Sequence, residues 1–444
     1  METTPDFSEL QKKWLIEEKH RLEDDKKRRY LHFDPRVYGL SEQHATKIFD
    51  SGLVARHPFY PFVRDDQKRR KHKRIEGKRV IELKIRPISY AAHSDALIYS
   101  YYNAILNDAY EKELTKAGIS QNVLAYRRTG KSTLDFASEV FGMILKTQDC
   151  VAICFDVKGF FDNLDHAILK SQWQKALGTD RLPEDHFAIY KSVTKFSYVR
   201  KEKLMMGLVL DKRKLGKMER YCSLDDFHKK VRKGKLIEIN SERGIPQGAP
   251  ISSVLSNIYM FDFDLQVAQQ VSKLGGLYRR YCDDIITVVR LQDKKGIEKF
   301  ILDKINELKL EISAEKTERV EFRKDQLIIE ARNTKNLKRL QYLGLEFDGK
   351  NIYLRHRGLA SFQGKMASGI RGASIWAKKN NKGIIPKRSV YEKFSVYSRQ
   401  NYLIYARRAA EKLNSPTIAH QVRPSRVMRL LKGLIKKEAI RQKS

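Results

Sequence analysis

Cysteine is scarce: Cys150, Cys154, Cys222 and Cys282 are the four in a chain of 444 residues. Their spacing lacks the paired pattern of a zinc site and makes no disulfide framework, so neither kind of staple is expected. Cys150 and Cys154 read as small core fillers. The sequence also lacks an apolar N-terminal segment of signal-peptide type and any apolar run long enough to cross a bilayer, which makes a reducing cytoplasm the expected compartment. No internal repeat and no low-complexity linker divides it. Acid is in short supply too: 54 Asp plus Glu stand against 88 Lys plus Arg, a formal net charge of +34. That excess opposes compaction unless an anionic partner offsets it. Nucleic acid is the expected partner, with an acidic membrane surface as the weaker reading.

The basic residues are unevenly placed. Arg64 to Arg79 carries nine Lys or Arg against three acids and reads as a loop or ribbon; Arg423 to Ser444 carries eight against one and reads as a helix face. The bland alternative for either run alone is a solvated charge run. The length allows two or three domains, or one lobed catalytic body with appended arms.

Periodicity outlines an α+β chain. SELQKKWLIEEKHRLEDDKKRR predicts a helix, and Val80 to Ser89 alternates apolar and polar residues as a half-exposed strand does. ALIYSYYNAILNDAYEKEL is helical, its aromatics read as packing residues. Val151 to Lys170 begins as a fully apolar strand and changes at Asp156 into turn and then helix. Residues 171–240 read as a helical, basic insertion. Arg243 to Ala268 has a glycine-proline turn feeding a helix with Val254, Ile258, Phe261 and Leu265 along one side. Gly276 to Val289 reads as a hairpin turning at Cys282 and Asp283. A helix with Ile297, Phe300, Ile301, Ile305 and Leu308 on its apolar side follows, then short strands near Glu318–Phe322 and within LQYLGLEF. The order points to a split βαβ unit, an antiparallel sheet covered by helices. Beyond Gly358 the pattern is mostly helical and basic.

Asp156 ends an apolar strand, and Asp283 with Asp284 lies in the turn of an apolar hairpin. A carboxylate beside a buried strand is costly without a partner, and the apolar half of RRYCDDIITVV offers no lysine or arginine. If the strands are neighbours, the three carboxylates converge at one sheet edge and suit Mg²⁺, two ions of which can activate a hydroxyl and stabilise a leaving pyrophosphate. Asp162 and Asp165 read instead as helix-start or packing-corner residues. YRRTGKSTLD resembles a phosphate-binding loop superficially, but Ala125 stands where that loop needs glycine, and an ATPase is discounted.

DVKGFFD, RGIPQGAPISSVLSNIY, RRYCDD, EISAEKTERVEF and LQYLG occur in the order seen in reverse transcriptases, and the chain resembles that family from about Lys84 to Phe347. The resemblance implies a right-hand polymerase: a basic N-terminal arm (1–79), fingers (80–149), palm (150–347, with the insertion at about 171–240) and a basic helical thumb and tail (348–444). It implies that Asp156, Asp283 and Asp284 bind two Mg²⁺ ions, with Mn²⁺ a substitute, and that Lys316 sits near the leaving pyrophosphate. Phe161 falls at the steric-gate position that tolerates deoxyribose, although a core role stays open for it and for Phe160. Gln247 and Gly248, after Pro246, border the incoming nucleotide and template. By the same resemblance Arg86, with Lys84 as companion, is expected to contact triphosphate or template, and Arg127, Arg128 and Lys131 to contact backbone or triphosphate. Tyr342, Leu343 and Gly344 resemble the primer grip.

The match is closest to the bacterial branch containing group II intron and retron enzymes. No HNH, RNase H or integrase signature is present, and the charged arm, central insertion and short thumb are most similar to stand-alone antiphage defence enzymes. The expected partners are dNTPs, an RNA template, often a structured noncoding RNA, and nascent DNA paired with it; no membrane partner is expected, and a protein partner or second copy stays open. The alternatives are a retron or intron-like enzyme, an RNA-dependent RNA polymerase, which Phe161 opposes, and an RNA-binding scaffold with an inactive palm, which the retained aspartates, Gln247 and Lys316 oppose.

Overall fold

In the computed structural model, which describes residues 7–24, 30–75, 78–211, 213–240, 242–325, 328–332, 339–380, 385–395, 398 and 402–443, the strands form three sheets. They are β1 (Phe62–Ile75), β2 (Lys78–Tyr90), β3 (Cys150–Asp156), β4 (Ser197–Arg200), β5 (Glu238–Ile239), β6 (Leu277–Tyr281), β7 (Asp284–Arg290), β8 (Glu318–Asp325), β9 (Ile328–Arg332), β10 (Leu340–Tyr342), β11 (Leu345–Phe347) and β12 (Ile352–Leu354). The fold is mixed α+β.

The central sheet has the order β6-β7-β3-β8-β9, antiparallel throughout. β3 is apolar at every position before Asp156 because both of its faces are covered. Val151, Ile153 and Phe155 join a core with helices Ser252–Tyr259, Phe261–Lys273 and Lys294–Glu307. Cys150 and Ala152 face a second core built from helix Thr133–Thr147, β10 to β12 and the C-terminal helices. The two-residue period of a strand assigns alternate side chains to these two cores. None of the four cysteines forms a disulfide, and Cys150 is a buried filler as expected.

The aromatics of helix His93–Lys116 are packing residues: Tyr99, Tyr102 and Tyr110 are buried in the first core. The apolar side expected near residue 300 is also buried, with Ile297, Ile301 and Ile305 facing inward and Phe300 partly covered. The N-terminal helix spans Glu9–Asp24; the rest of its expected extent, residues 25–29, lies outside the described residues.

Two expectations change. The insertion at 171–240 is not helical throughout: β4 lies parallel to β1 and antiparallel to β5. Phe33, Val63, Val199, Leu204, Tyr221, Phe227 and Val231 form a small third core there, so the insertion is docked on the N-terminal segment. A strand forms because the free edge of β1 offers backbone partners to Phe62–Arg64's neighbours Tyr198–Arg200.

β2 is likewise not half-buried. β1 and β2 pair from Val63↔Tyr90 to Ile75↔Lys78, but β4 supports only the first residues of β1, and the rest projects as a two-stranded ribbon. Val80, Ile81, Leu83 and Ile85 are therefore 41–56% exposed. Alternation in the sequence implies a covered face only when a second layer is available to cover it. The expected boundary between residues 79 and 80 falls inside this ribbon.

The loop before the helix at Ser252 is pinned by backbone contacts. Gly244 has φ +85°, its N–H donates to the Leu164 carbonyl at 2.8 Å, and the Ile245 N–H donates to the Phe161 carbonyl at 2.9 Å. A Cβ on Gly244 would sit 2.6 Å from the Asp162 carbonyl oxygen. Gly244→Ala is expected to destabilise the protein by about 1–3 kcal/mol, from the positive φ and the displaced loop together, as read from urea unfolding midpoints.

Candidate active site

β3 and β7 place Asp156 directly opposite Asp284 in antiparallel register. Asp283 precedes Asp284 in the tight turn from β6, and the Asp283 carbonyl accepts a hydrogen bond from the Val157 N–H at 3.2 Å. The turn is possible because Cys282 adopts φ +60°, unusual for a residue with a side chain. Its thiol is buried, receives the Tyr126 hydroxyl at 3.3 Å, and is pushed up to about 12 by burial, so it is an inert thiol rather than a nucleophile.

What holds this turn is a buried ion pair that sequence reading missed. Arg280 is fully buried, and its Nε and Nη2 donate to the two Asp264 carboxylate oxygens at 2.7 and 2.6 Å. Its Nη1 donates to Asn257 Oδ1 at 3.2 Å and to the Cys282 carbonyl at 3.1 Å. The Tyr278 hydroxyl adds a 2.5 Å bond to Asp264. The signal was present in the sequence: an arginine in an apolar strand, with an aspartate in the apolar helix before it, implies a buried pair.

The carboxylates do have cationic neighbours, contrary to the expectation drawn from residues 279–289 alone. The Lys316 ammonium forms an ion pair with Asp156, and the charge of Arg355, just before helix His356–Lys379, reaches Asp284. Arg355 is a second residue that sequence reading missed; its N–H donates to the Gly344 carbonyl at 3.0 Å, tying it to the Tyr342–Gly344 turn. Leu343 and Gly344 in that turn both have positive φ, the geometry of a two-residue hairpin connection.

Burial first, then the charges of Asp283 and Asp156, pushes the Asp284 carboxyl up to about 6; Arg355 and Lys316 pull the other way. Such crowding of like charges is the condition a cation relieves. Among the described residues no group of three His, Cys, Asp or Glu side chains is arranged to enclose a metal by itself. Mg²⁺ commonly takes only one or two carboxylates and completes its shell with water and phosphate oxygens, so the donor chemistry of this acidic edge still fits it.

The remaining expected residues lie on other elements. Phe161 is half-buried, its ring 5.5 Å from that of the buried Phe160, with its carbonyl tied to Ile245. The Gln247 carbonyl accepts from the Ser89 N–H at 2.8 Å, while its buried side-chain oxygen Oε1 has no hydrogen-bond partner. Gly248 has φ +115°, and a Cβ there would meet the Ser89 carbonyl at 3.0 Å. Lys84 and Arg86 are exposed on β2, opposite Arg69 and Gln67. Asp162 is held above the usual carboxylate range by burial, against Arg64 and Arg86, and Asp165 caps helix His166–Leu177 through the Ala167 and Ile168 N–H groups.

Each cation of YRRTGKSTLD has a carboxylate partner within the protein. Arg127 pairs with Glu111 and the Ser120 and Val123 carbonyls, Arg128 with Glu17, and Lys131 with Glu139. Ser132 and Asp135 form the capping box of helix Thr133–Thr147, which is why the sequence reads GKST without a phosphate loop.

The antiparallel sheet thus holds Asp156, Asp284 and Lys316 together at one edge, with Asp283 adjoining. Residues 84–347 match the sequence model of the family described as "Reverse transcriptase (RNA-dependent DNA polymerase)". The match covers more than half of the chain, and the chain belongs to the reverse transcriptase family. A search of curated proteins finds no significant match. Among solved structures, apo telomerase from Candida tropicalis, truncated from the C-terminal domain, aligns with TM-score 0.40 and 11% identity over 71% of this chain and 61% of that one. Telomerase from Candida albicans with a TWJ fragment of telomeric RNA gives 0.39 and 12% over 87% and 63%. The chain spans less than two thirds of the length of these two proteins, and likeness of this degree carries no functional inference. No helix among the described residues is long and apolar enough to cross a membrane.

Two outcomes test the site. Arg280→Met alone is expected to cost about 3–5 kcal/mol by stranding Asp264, whereas Arg280→Met with Asp264→Leu recovers most of that stability in chemical denaturation. The turn carrying Asp283 and Asp284 does not recover with it, since the Cys282 carbonyl still lacks its donor. Separately, a carboxyl raised from 3.8 to about 6 opposes folding increasingly as pH rises between those values. Asp284→Asn should therefore raise the thermal midpoint of the metal-free protein at about pH 7 and leave it unchanged at about pH 3.5, with the gain trimmed by solvent screening at this exposed strand end.

Proposed function

We propose that the chain is an RNA-directed DNA polymerase that transfers deoxynucleotides from dNTPs to a 3′-hydroxyl along an RNA template. The observation that carries this reading is the facing of Asp156 and Asp284 in register, with Asp283 adjoining, inside the segment that defines the family. The domain reading that goes with it takes the ribbon and residues to 149 as fingers, residues 150–347 as palm and the helices after 348 as thumb.

Asp156, Asp283 and Asp284 would hold Mg²⁺, which when bound supplies Lewis-acid stabilisation of charge at phosphorus and of the leaving pyrophosphate. Lys316, already paired with Asp156, neutralises charge at this edge and is placed to hold a proton or pyrophosphate oxygen. Gln247 brings an uncharged amide to this loop, which can hydrogen-bond a substrate without adding charge. The Phe161 ring, half-buried beside that loop, leaves room for deoxyribose and opposes a ribose 2′-hydroxyl. Lys84 and Arg86 on the exposed ribbon approach phosphate groups of template or triphosphate.

The net charge of +34 fits a long phosphate-bearing partner. The sequence resemblance to stand-alone antiphage enzymes adds the narrower reading of a dedicated noncoding RNA as template, copied in defence.

The test is incorporation of labelled nucleotide, with Mg²⁺, by protein purified with the RNA it carries and by the same protein given a primed RNA template. The expected product contains dNMP and is complementary to one abundant bound RNA. Replacing both Asp283 and Asp284 by Ala should abolish it, and Phe161→Ala should admit ribonucleotides. Full Mg²⁺-dependent synthesis by the double variant would overturn the mechanism, and NMP-only product would make the enzyme an RNA polymerase.

A further inference from the structure

A cavity of about 540 Å³ lies between two C-terminal helices, His356–Lys379 and Pro424–Lys443. Leu359, Phe362 and Met366 recur every three or four residues along the first helix, and Val427, Leu430 and Leu434 do so along the second. Each helix therefore turns one apolar stripe to the groove. Phe362, Met366 and Val427 are buried at its floor, while Leu359, Leu430 and Leu434 are only partly covered. Those three leucines are the surface that an occupant would bury.

Gly433 interrupts the second stripe. Glycine is unfavourable inside a helix. Here it leaves bare backbone at the groove: a Cβ added to Gly433 would meet nothing within 4 Å, so the space beside it is open to close approach by another chain. The rim is cationic. Arg426, Arg429 and Lys437 are exposed along the second helix, and none of the described residues lining the groove is acidic.

Two apolar stripes with a groove between them form the seat on which a third amphipathic helix packs, its anchors spaced by three and four residues. The cations on one wall call for acids beside those anchors. A second copy of this chain is opposed by the net charge of +34 that both copies would carry. Nucleic acid would answer the cations and leave the leucines uncovered.

We propose that this groove receives an acidic amphipathic helix of a different protein, whose apolar face covers Leu359, Leu430 and Leu434 and whose carboxylates meet Arg426, Arg429 and Lys437. The groove lies wholly outside the family-defining segment, which ends at residue 347, and the proposal does not depend on the polymerase reading.

The experiment titrates the full chain against a fluorescent peptide built from repeats of Leu-Glu-Gln-Leu-Leu-Ala-Glu, about 21 residues long so that it can be helical in water. A peptide of the same composition in scrambled order measures attraction to net charge alone. The patterned peptide is expected to bind roughly tenfold or more tightly than the scrambled one. Gly433→Trp, which fills the groove from a position facing open space, should remove that preference and leave the thermal midpoint in place. Arg426→Glu with Arg429→Glu and Lys437→Glu, all at the exposed rim, should weaken the patterned peptide more than the scrambled one. Equal affinity for the two peptides, or a preference that survives both sets of substitutions, would overturn the proposal. So would displacement of the peptide by an RNA–DNA duplex whose own affinity falls with Gly433→Trp, which would make the groove a nucleic-acid surface.

Discussion

The buried pair between Arg280 and Asp264 is the constraint on which the acidic edge depends. Two charges taken out of water are tolerated only when nearly every donor and acceptor is used. Here Asp264 accepts from both arms of the guanidinium and from Tyr278, and the remaining Arg280 donor is spent on Asn257 and on the carbonyl of Cys282. That last bond reaches the residue with positive φ that turns the chain from β6 into β7, and so sets where Asp283 and Asp284 begin. Asn257 extends the network by donating to the Ala125 carbonyl at 3.0 Å, joining the segment before helix Thr133–Thr147 to the same centre. A well-packed apolar replacement could be as stable, but it could not hold a carbonyl.

Around this centre the sheet separates two jobs. Alternate residues of β3 feed two cores, which fixes the strand against sliding, because a shift of one residue would exchange its faces. Fixed register is what brings Asp156 opposite Asp284. The C-terminal region packs on the same face as these aspartates, and Arg355 arrives there through the Gly344 turn. Lys412 crosses from that region to Asp135 at 2.7 Å, bracing it against the helix that covers the sheet.

The ribbon and the N-terminal segment follow a different rule. β1 and β2 satisfy each other's backbone groups, so the ribbon can project without a covering layer, with Lys68, Arg69, Arg70, Lys84, Arg86 and its aliphatics exposed. The segment before it is anchored by apolar burial, with Phe33 in the third core and Leu40 in the first, and by polar contacts: Asp34 accepts from the His93 and Ser94 N–H groups at the start of helix His93–Lys116. Asp34 thus supplies the cap that Ala92 cannot, and in doing so holds Tyr30 against Tyr90.

The sequence by itself determined the α+β class, the apolar central strand, the hairpin around Cys282 and Asp283, and the three aspartates with Lys316, because strand burial and turn chemistry are local in the chain. It also determined the family, through motifs whose order survives without coordinates. Tertiary structure alone decided the rest. Whether β2 has a covered face depends on a second layer that no local pattern encodes. Whether residues 197–200 are strand or helix depends on the free edge of β1, far away in sequence. Arg127 looked available for phosphate until Glu111 and two carbonyls closed around it, and Arg355 reached Asp284 only through the fold. Charges find their partners in space, and a sequence read along one dimension lists the charges without the distances.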